Sequence, residues 1–88
     1  MKGRFTMNLI DEQRAKIAYC LECLRNAYGL TRSEVSRATK IPVKSLYSYE
    51  TKGKLSDDRL NQLADFYDVP PAAILLGWNS AQKFVPRP

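Results

Sequence analysis

Few residue combinations in this sequence could carry out chemistry. Cys20 and Cys23 form a C-x-x-C pair, a spacing used by metal ligands and by redox centres. The chain has no histidine that could complete a zinc site with them. It also lacks a glycine-rich phosphate loop, and Asp57 and Asp58 suit the first turn of a helix. We therefore expect no enzymatic activity, no metal site and no cofactor.

The cysteine pair lies within a predicted helix, because apolar residues recur there with helical spacing. On this stripe Cys20 is a small buried side chain, and Cys23 lies toward the edge of the same face. We expect two reduced packing thiols, and a redox or metal role is the alternative. The stripe consists of Ile17, Cys20, Leu21, Leu24, Ala27 and Tyr28.

The positive charge is concentrated in the middle of the chain. The protein has 88 residues and a net charge of +5; residues 31–54 carry +4 and residues 55–70 carry −3. A local basic surface attracts polyanions, above all nucleic acid. A solvated charged surface without a partner is the alternative.

Length and hydropathy limit the remaining classes of protein. The chain suffices for one small domain. No apolar run approaches the roughly 20 residues that span a bilayer, and the first residues contain no apolar signal core. We expect a cytoplasmic protein without membrane contact.

The hydrophobic spacing predicts an all-α fold of five helices. Asp11 suits the N-cap of the first helix and Gly29 its end. Thr31 and Glu34 form a capping-box pattern for a short second helix. The apolar positions of that helix are Val35 and Ala38.

Proline, glycine and serine delimit the other three helices. Pro42 and Gly53 bound the third, Ser56 suits the N-cap of the fourth, and the fifth runs from residues 70–71 to Gly77. Both chain ends are expected to be loosely ordered, or to pair as strands or cross to a second subunit. The predicted division is an arm at residues 1–10, a domain at 11–78 and a tail at 79–88.

The third helix has an inward and an outward face. Leu46 and Tyr49 are its predicted core anchors, with Ile41 beside them. The outward side chains carry almost no acid and suit a DNA groove, where lysine reads guanine edges or binds phosphate, valine contacts a thymine methyl and serine donates or accepts. The tyrosine suits a phosphate through its hydroxyl or a sugar through its ring. These side chains are Val43, Lys44, Tyr47, Ser48 and Thr51.

The segments "GLTRSEVS", "IPVKSLYSYETKG" and "LNQLADFYDVPPAAILLG" carry a family resemblance. Residues 17–78 resemble the lambda-repressor-like (Cro/CI or Xre) helix-turn-helix family. The resemblance implies a sequence-specific regulator of transcription that binds double-stranded DNA, a repressor of bacterial or phage type. The alternative is a protein-interaction module, an antitoxin or phage-encoded inhibitor, with Tyr47, Trp78 and Phe84 as aromatic anchors.

The resemblance also implies roles for individual residues, while Glu50 matches a structural glutamate. Two departures from the family stand out: Lys40 occupies a turn that usually carries glycine, and Val43 a position that is often glutamine or arginine. The predicted base-reading residues are Pro42, Val43, Lys44, Tyr47 and Ser48. The predicted DNA-backbone contacts are Thr31, Arg32, Arg37, Lys40, Thr51, Lys52 and Lys54. The predicted interface of a homodimer is Ile74, Leu75, Trp78 and Phe84.

Overall fold

The computed structural model describes residues 9–86, and this part of the chain is helical without a strand. The all-α fold is confirmed. The structure has six α-helices instead of the five predicted, followed by a 3₁₀ turn at Gln82–Phe84. The helices are α1 (Leu9–Ala27), α2 (Arg32–Thr39), α3 (Val43–Lys52), α4 (Asp57–Tyr67), α5 (Pro71–Leu76) and α6 (Trp78–Ala81).

The first helix begins earlier than predicted. It starts at Leu9, so Asp11 lies in its first turn and is not its N-cap. Acidic residues are favoured at both places, so the residue type could not distinguish them. A strand at the N-terminal end, one of the alternatives expected there, would lie mostly outside the described residues, and Leu9 is helical.

The sixth helix continues the fold past the predicted end of the domain. Gly77 has φ 107° and its N–H donates to the carbonyls of Ala73 and Ile74, which ends α5. Its own carbonyl accepts from the N–H groups of Ser80 and Ala81, which begins α6. Ala81 is fully buried, so α6 closes one side of the core.

The core forms around α1, which packs against α3, α5 and α6. The predicted stripe of α1 is buried apart from the exposed Ala27 and the half-buried Tyr28. In α2, Val35 is buried but Ala38 is exposed, and Thr39 is buried in its place. Burying one large aliphatic side chain stabilises the fold by about 1.5–3 kcal/mol. The largest fully buried side chains are Leu21, Leu24, Ile41, Leu46, Leu63, Tyr67 and Ile74.

The cysteines lie where the stripe predicted. Cys20 is buried, and burial, followed by the neighbouring Cys23, raises the pKa of its thiol to about 12. Cys23 is half-buried, and both thiols are free. Among residues 9–86, no three His, Cys, Asp or Glu side chains are placed to share a metal ion. No helix in this part of the chain is long and apolar enough to cross a membrane.

Candidate nucleic-acid interface

A capping box fixes the start of α2. The Thr31 hydroxyl accepts a hydrogen bond from the N–H of Glu34 at 3.1 Å, and the Thr31 N–H donates to Glu34 Oε1 at 2.8 Å. The N–H of Thr31, followed by its hydroxyl, lowers the pKa of the Glu34 carboxyl. The predicted capping box is confirmed, and it places a carboxylate at the N-terminus of α2.

The turn between α2 and α3 is built on Lys40 and Thr39. Lys40 adopts the left-handed conformation, φ 68° and ψ 15°, and its N–H donates to the Ser36 carbonyl at 2.8 Å. Lys40 therefore adopts the left-handed conformation that glycine favours, at a strain of about 1 kcal/mol. The Thr39 hydroxyl donates to the Val35 carbonyl at 2.7 Å and accepts from the Ile41 N–H at 3.2 Å.

Helix α4 contributes a hydrogen bond to this turn. Gln62 donates from Nε2 to the carbonyl of Thr39 at 2.8 Å, and its Oε1 accepts from Arg59 Nη1 at 2.9 Å. Thr39 thus has its hydroxyl and carbonyl groups hydrogen-bonded within a buried site, which fixes the angle between α2 and α3. Sequence patterns did not identify the contact between Gln62 and Thr39, because the two residues are 23 positions apart.

Helix α3 begins without a side-chain cap. Pro42 is its N-cap residue, makes no side-chain capping hydrogen bond, and is followed by a first turn without an acid. Leu46 and Glu50 are buried and Tyr49 is half-buried, so the predicted inward anchors are confirmed. The N-terminus of α3 therefore keeps free donors and a partial positive charge.

A buried carboxylate joins α3 to α1 and α2. The Glu50 side chain is 3% exposed; Arg25 Nε donates to its Oε2 at 2.9 Å and to its Oε1 at 3.1 Å. Arg32 Nε donates to the same Oε1 at 3.0 Å. Hydrogen bonding to Glu50 raises the pKa of Arg25. Glu50 is structural, as expected, but Arg25 was missed and Arg32 was expected only at the DNA backbone.

The predicted base-reading residues share the exposed side of α3. Val43 and Tyr47 lie one turn apart, as do Lys44 and Ser48, so the four form two adjacent rows on the helix. Ser48 is half-buried, whereas Tyr47 is 56% exposed. Pro42 is exposed at the start of the same helix.

The residues predicted to contact the DNA backbone fall into two groups. Four are exposed and form no ion pair with any residue from 9 to 86, namely Arg37, Lys40, Lys52 and Lys54. The other three have partners within the fold. Thr31 caps α2 and Arg32 is bound to Glu50. The Thr51 hydroxyl donates to the carbonyls of Tyr47 and Ser48 at 2.9 and 3.2 Å, so its single proton is already used.

The predicted dimer surface requires one correction. Ile74 is fully buried within the single chain, so its side chain is not available to a second copy. Leu75 and Trp78 are half-buried, and Phe84 is exposed. Leu76, in the same apolar run, is 67% exposed and borders a groove of about 310 Å³ lined by residues of α5, α6 and the 3₁₀ turn. When every residue of a short run is apolar, hydropathy does not distinguish the side chains that point inward from those that point outward.

Comparison with known proteins agrees with this geometry. Searches of curated proteins and of solved structures find no match. The helix-turn-helix family model matches residues 23–74, which extend from the second half of α1 into α5 and include the whole α2–turn–α3 unit. The chain belongs to the helix-turn-helix family of the Cro/CI/Xre type, a family of DNA-binding regulators.

Proposed function

We propose that this protein is a sequence-specific regulator of transcription, a repressor of bacterial or phage type, that reads the major groove of double-stranded DNA with α3. The observation that carries the proposal is the open N-terminal half of α3. It has exposed Val43 and Lys44, no capping side chain and no acid. A DNA-binding role also places the protein in the cytoplasm of such a cell.

The outward side chains of α3 divide into base-reading and backbone-binding positions. Lys44 donates to guanine edges, Ser48 donates or accepts, and Val43 contacts a thymine methyl. Arg37, Lys40, Lys52 and Lys54 are exposed and form no ion pair with any residue from 9 to 86; they bind phosphates without regard to sequence. Repression requires only that the protein occupy DNA that the polymerase needs, which a small domain can do.

A binding titration tests this division. The operator used is the tightest-binding duplex selected from a random library, and a scrambled duplex serves as the control. Lys44→Ala and Ser48→Ala are each expected to weaken operator binding by about 1–3 kcal/mol with less effect on scrambled DNA. Lys52→Ala is the matched control: it weakens both duplexes alike and lowers the slope of log K against log salt by about 1.

Two outcomes contradict the proposal. Equal losses on operator and scrambled DNA for Lys44→Ala would remove the base-reading role of this residue. Failure of the wild-type protein to bind any duplex at low salt would reject DNA binding altogether, because the electrostatic part of such binding is strongest there.

We also propose a homodimer through Leu75, Leu76, Trp78 and Phe84, because two half-sites multiply specificity. The supporting observation is Leu76 beside the apolar groove, a surface on which one copy can place its leucine against the groove of the other. Leu76→Asp is expected to lower the sedimentation coefficient to that of a monomer. Leu9→Asp, at an exposed leucine on α1, is the control and leaves the dimer intact.

The same surface supports a second candidate function, the binding of a different protein as an antitoxin or phage-encoded inhibitor. An exposed leucine and phenylalanine around a groove can anchor a partner chain. A wild-type protein that stays monomeric and binds no duplex would favour this candidate over the regulator.

A further inference from the structure

The two arginines at Glu50 are used differently. Arg25 has a side chain that is 11% exposed, and its Nη1 donates to the Leu30 carbonyl at 2.9 Å, so both ends of its guanidinium serve the fold. The side chain of Arg32 is 30% exposed and donates to Glu50 from Nε alone. Within the described part of the chain, no group accepts a hydrogen bond from its Nη atoms.

The plane of the Arg32 guanidinium is fixed from a second side. Its central carbon lies 5.1 Å from the centre of the Tyr47 ring, within the range of a cation–π contact. Glu50 accepts from Nε and the Tyr47 ring contacts the guanidinium, which leaves the Nη groups for another acceptor. Tyr47 lies on α3 among the base-reading positions, and Arg32 opens α2, so this edge belongs to the proposed DNA-binding surface.

We propose that Glu50 and Tyr47 are positioning residues for DNA binding, which hold Arg32 so that its Nη groups donate to a backbone phosphate. The inference rests on the proposed function, since it names how one phosphate contact is made. A guanidinium can donate to a carboxylate and to a phosphate at once because its five N–H groups form a planar fork. Tyr47 thereby acts through Arg32 and not through its hydroxyl or on a base.

The competing interpretation is that Arg32 only neutralises a buried carboxylate. Removing either partner of such a pair lowers stability whether or not DNA is bound. The two interpretations differ in the affinity of the folded protein for DNA. Affinity must therefore be measured under conditions where circular dichroism shows each variant to be folded.

The first experiment replaces Arg32 by lysine. Lysine keeps the positive charge but lacks the planar set of N–H groups with which a guanidinium donates to two acceptors at once. We expect Arg32→Lys to bind both operator and scrambled duplex about tenfold more weakly with an unchanged salt slope. Arg14→Lys is the control for replacing a guanidinium by an ammonium: Arg14 lies on α1, outside the proposed DNA-binding surface, and the variant should bind like the wild type. Wild-type affinity in Arg32→Lys would overturn the proposal.

The second experiment tests whether Tyr47 acts through Arg32. Tyr47→Leu should weaken binding about fivefold in the wild-type background and have little effect in the Arg32→Lys background, because coupled residues are not additive. Tyr47→Phe retains the ring and should bind like the wild type. Equal losses in the two backgrounds, or a Tyr47→Phe variant as weak as Tyr47→Leu, would overturn the role of Tyr47.

The third experiment compares a Glu50 substitution in the same two backgrounds. Glu50→Gln should weaken DNA binding by the folded protein in the wild-type background and leave affinity unchanged in the Arg32→Lys background. An equal change in both backgrounds would make Glu50 purely structural. If Glu50→Gln does not fold, the Arg32 and Tyr47 variants still decide the proposal. Absence of binding by the wild type would be a failure of the proposed function instead.

Discussion

Helices α2 and α3 differ at their N-termini: two hydrogen bonds between Thr31 and Glu34 cap α2, whereas Pro42 begins α3 with no capping side chain. Their C-termini are alike, because Lys40 and Gly53 both adopt the left-handed conformation and donate to the carbonyl four residues back. The two helices therefore differ at their starts and not at their ends.

Contacts with other helices compensate for the missing cap of α3. Leu46 is buried in the core, Glu50 is bound by two arginines, and Gly53 lies against the backbone of Arg14 in α1. A helix held from its inward face can leave its first N–H groups unsatisfied and available to an anionic ligand. In the proposed function, α2 stabilises the motif and the start of α3 is the end that binds DNA.

The largest effect is expected where α3 meets α1. A Cβ at Gly53 would overlap the carbonyl group of Arg14, and the residue has φ +65°. Gly53→Ala should lower the free energy of unfolding by about 3 kcal/mol or more, combining overpacking with backbone strain. Urea titration followed by circular dichroism measures it.

Gly29 provides the matched control for this prediction. It has nearly the same conformation, φ +68°, but a Cβ there meets nothing within 4 Å. Gly29→Ala should therefore lower the free energy of unfolding only by the backbone strain, about 1 kcal/mol. Equal losses at the two glycines would mean that contact with α1 does not hold the end of α3.

The next largest effect is expected at the turn that joins the two helices. Thr39→Val keeps the shape of the side chain but leaves the buried N–H of Ile41 without its acceptor, which should cost about 2 kcal/mol in stability. Thr51→Val removes an exposed hydroxyl that also bonds a helix carbonyl, and should change stability by less than about 0.5 kcal/mol. A Thr51→Val variant as unstable as Thr39→Val would mean that the buried hydrogen bonds of the Thr39 hydroxyl do not hold the turn together.

The local part of this architecture is readable in the sequence. The capping box, the stripe of α1 and the glycine at the end of α3 are set by residues within a few positions of each other. These signals also led to the outward face of α3, because a helix whose inward anchors are known has its other side determined. The predicted start of α1 was wrong because an aspartate such as Asp11 suits both an N-cap and a first turn.

The long-range part is not readable in the same way. Arg25 and Glu50 are 25 residues apart, and Gln62 and Thr39 are 23 apart, so both pairs depend on how the helices pack. Ala38 and Thr39 both lie one turn from Val35, and hydropathy favoured the alanine. Thr39 is buried instead because its hydroxyl is hydrogen-bonded there.

A smaller and more specific effect is expected from giving α3 the kind of cap that α2 has. Pro42→Asp should be about 1 kcal/mol more stable than Pro42→Ala, because an N-cap carboxylate accepts from the free N–H groups. Both variants lose the proline ring, so their difference isolates the cap. The same carboxylate should weaken DNA binding relative to Pro42→Ala by roughly 1 kcal/mol, about fivefold in Kd. A Pro42→Asp variant that binds DNA as tightly as Pro42→Ala would show that this end of α3 does not meet DNA.

The smallest effect is expected from the titration of Glu34 in the cap of α2. Its pKa is lowered in the folded state by the Thr31 N–H and hydroxyl, so the stabilisation is present above the ordinary value of 4.5 and is lost as the pH falls through the lower folded value. Glu34→Gln keeps the hydrogen-bonding pattern of a capping box without the charge. The stability advantage of the wild type over Glu34→Gln should therefore shrink below pH 4.5 in urea titrations. Asp65→Asn, which removes an exposed carboxylate from α4, controls for the loss of one charge. A Glu34→Gln variant that follows the wild type at every pH would mean that the charge of Glu34 adds nothing to the cap, leaving its neutral hydrogen bonds as the difference between α2 and α3.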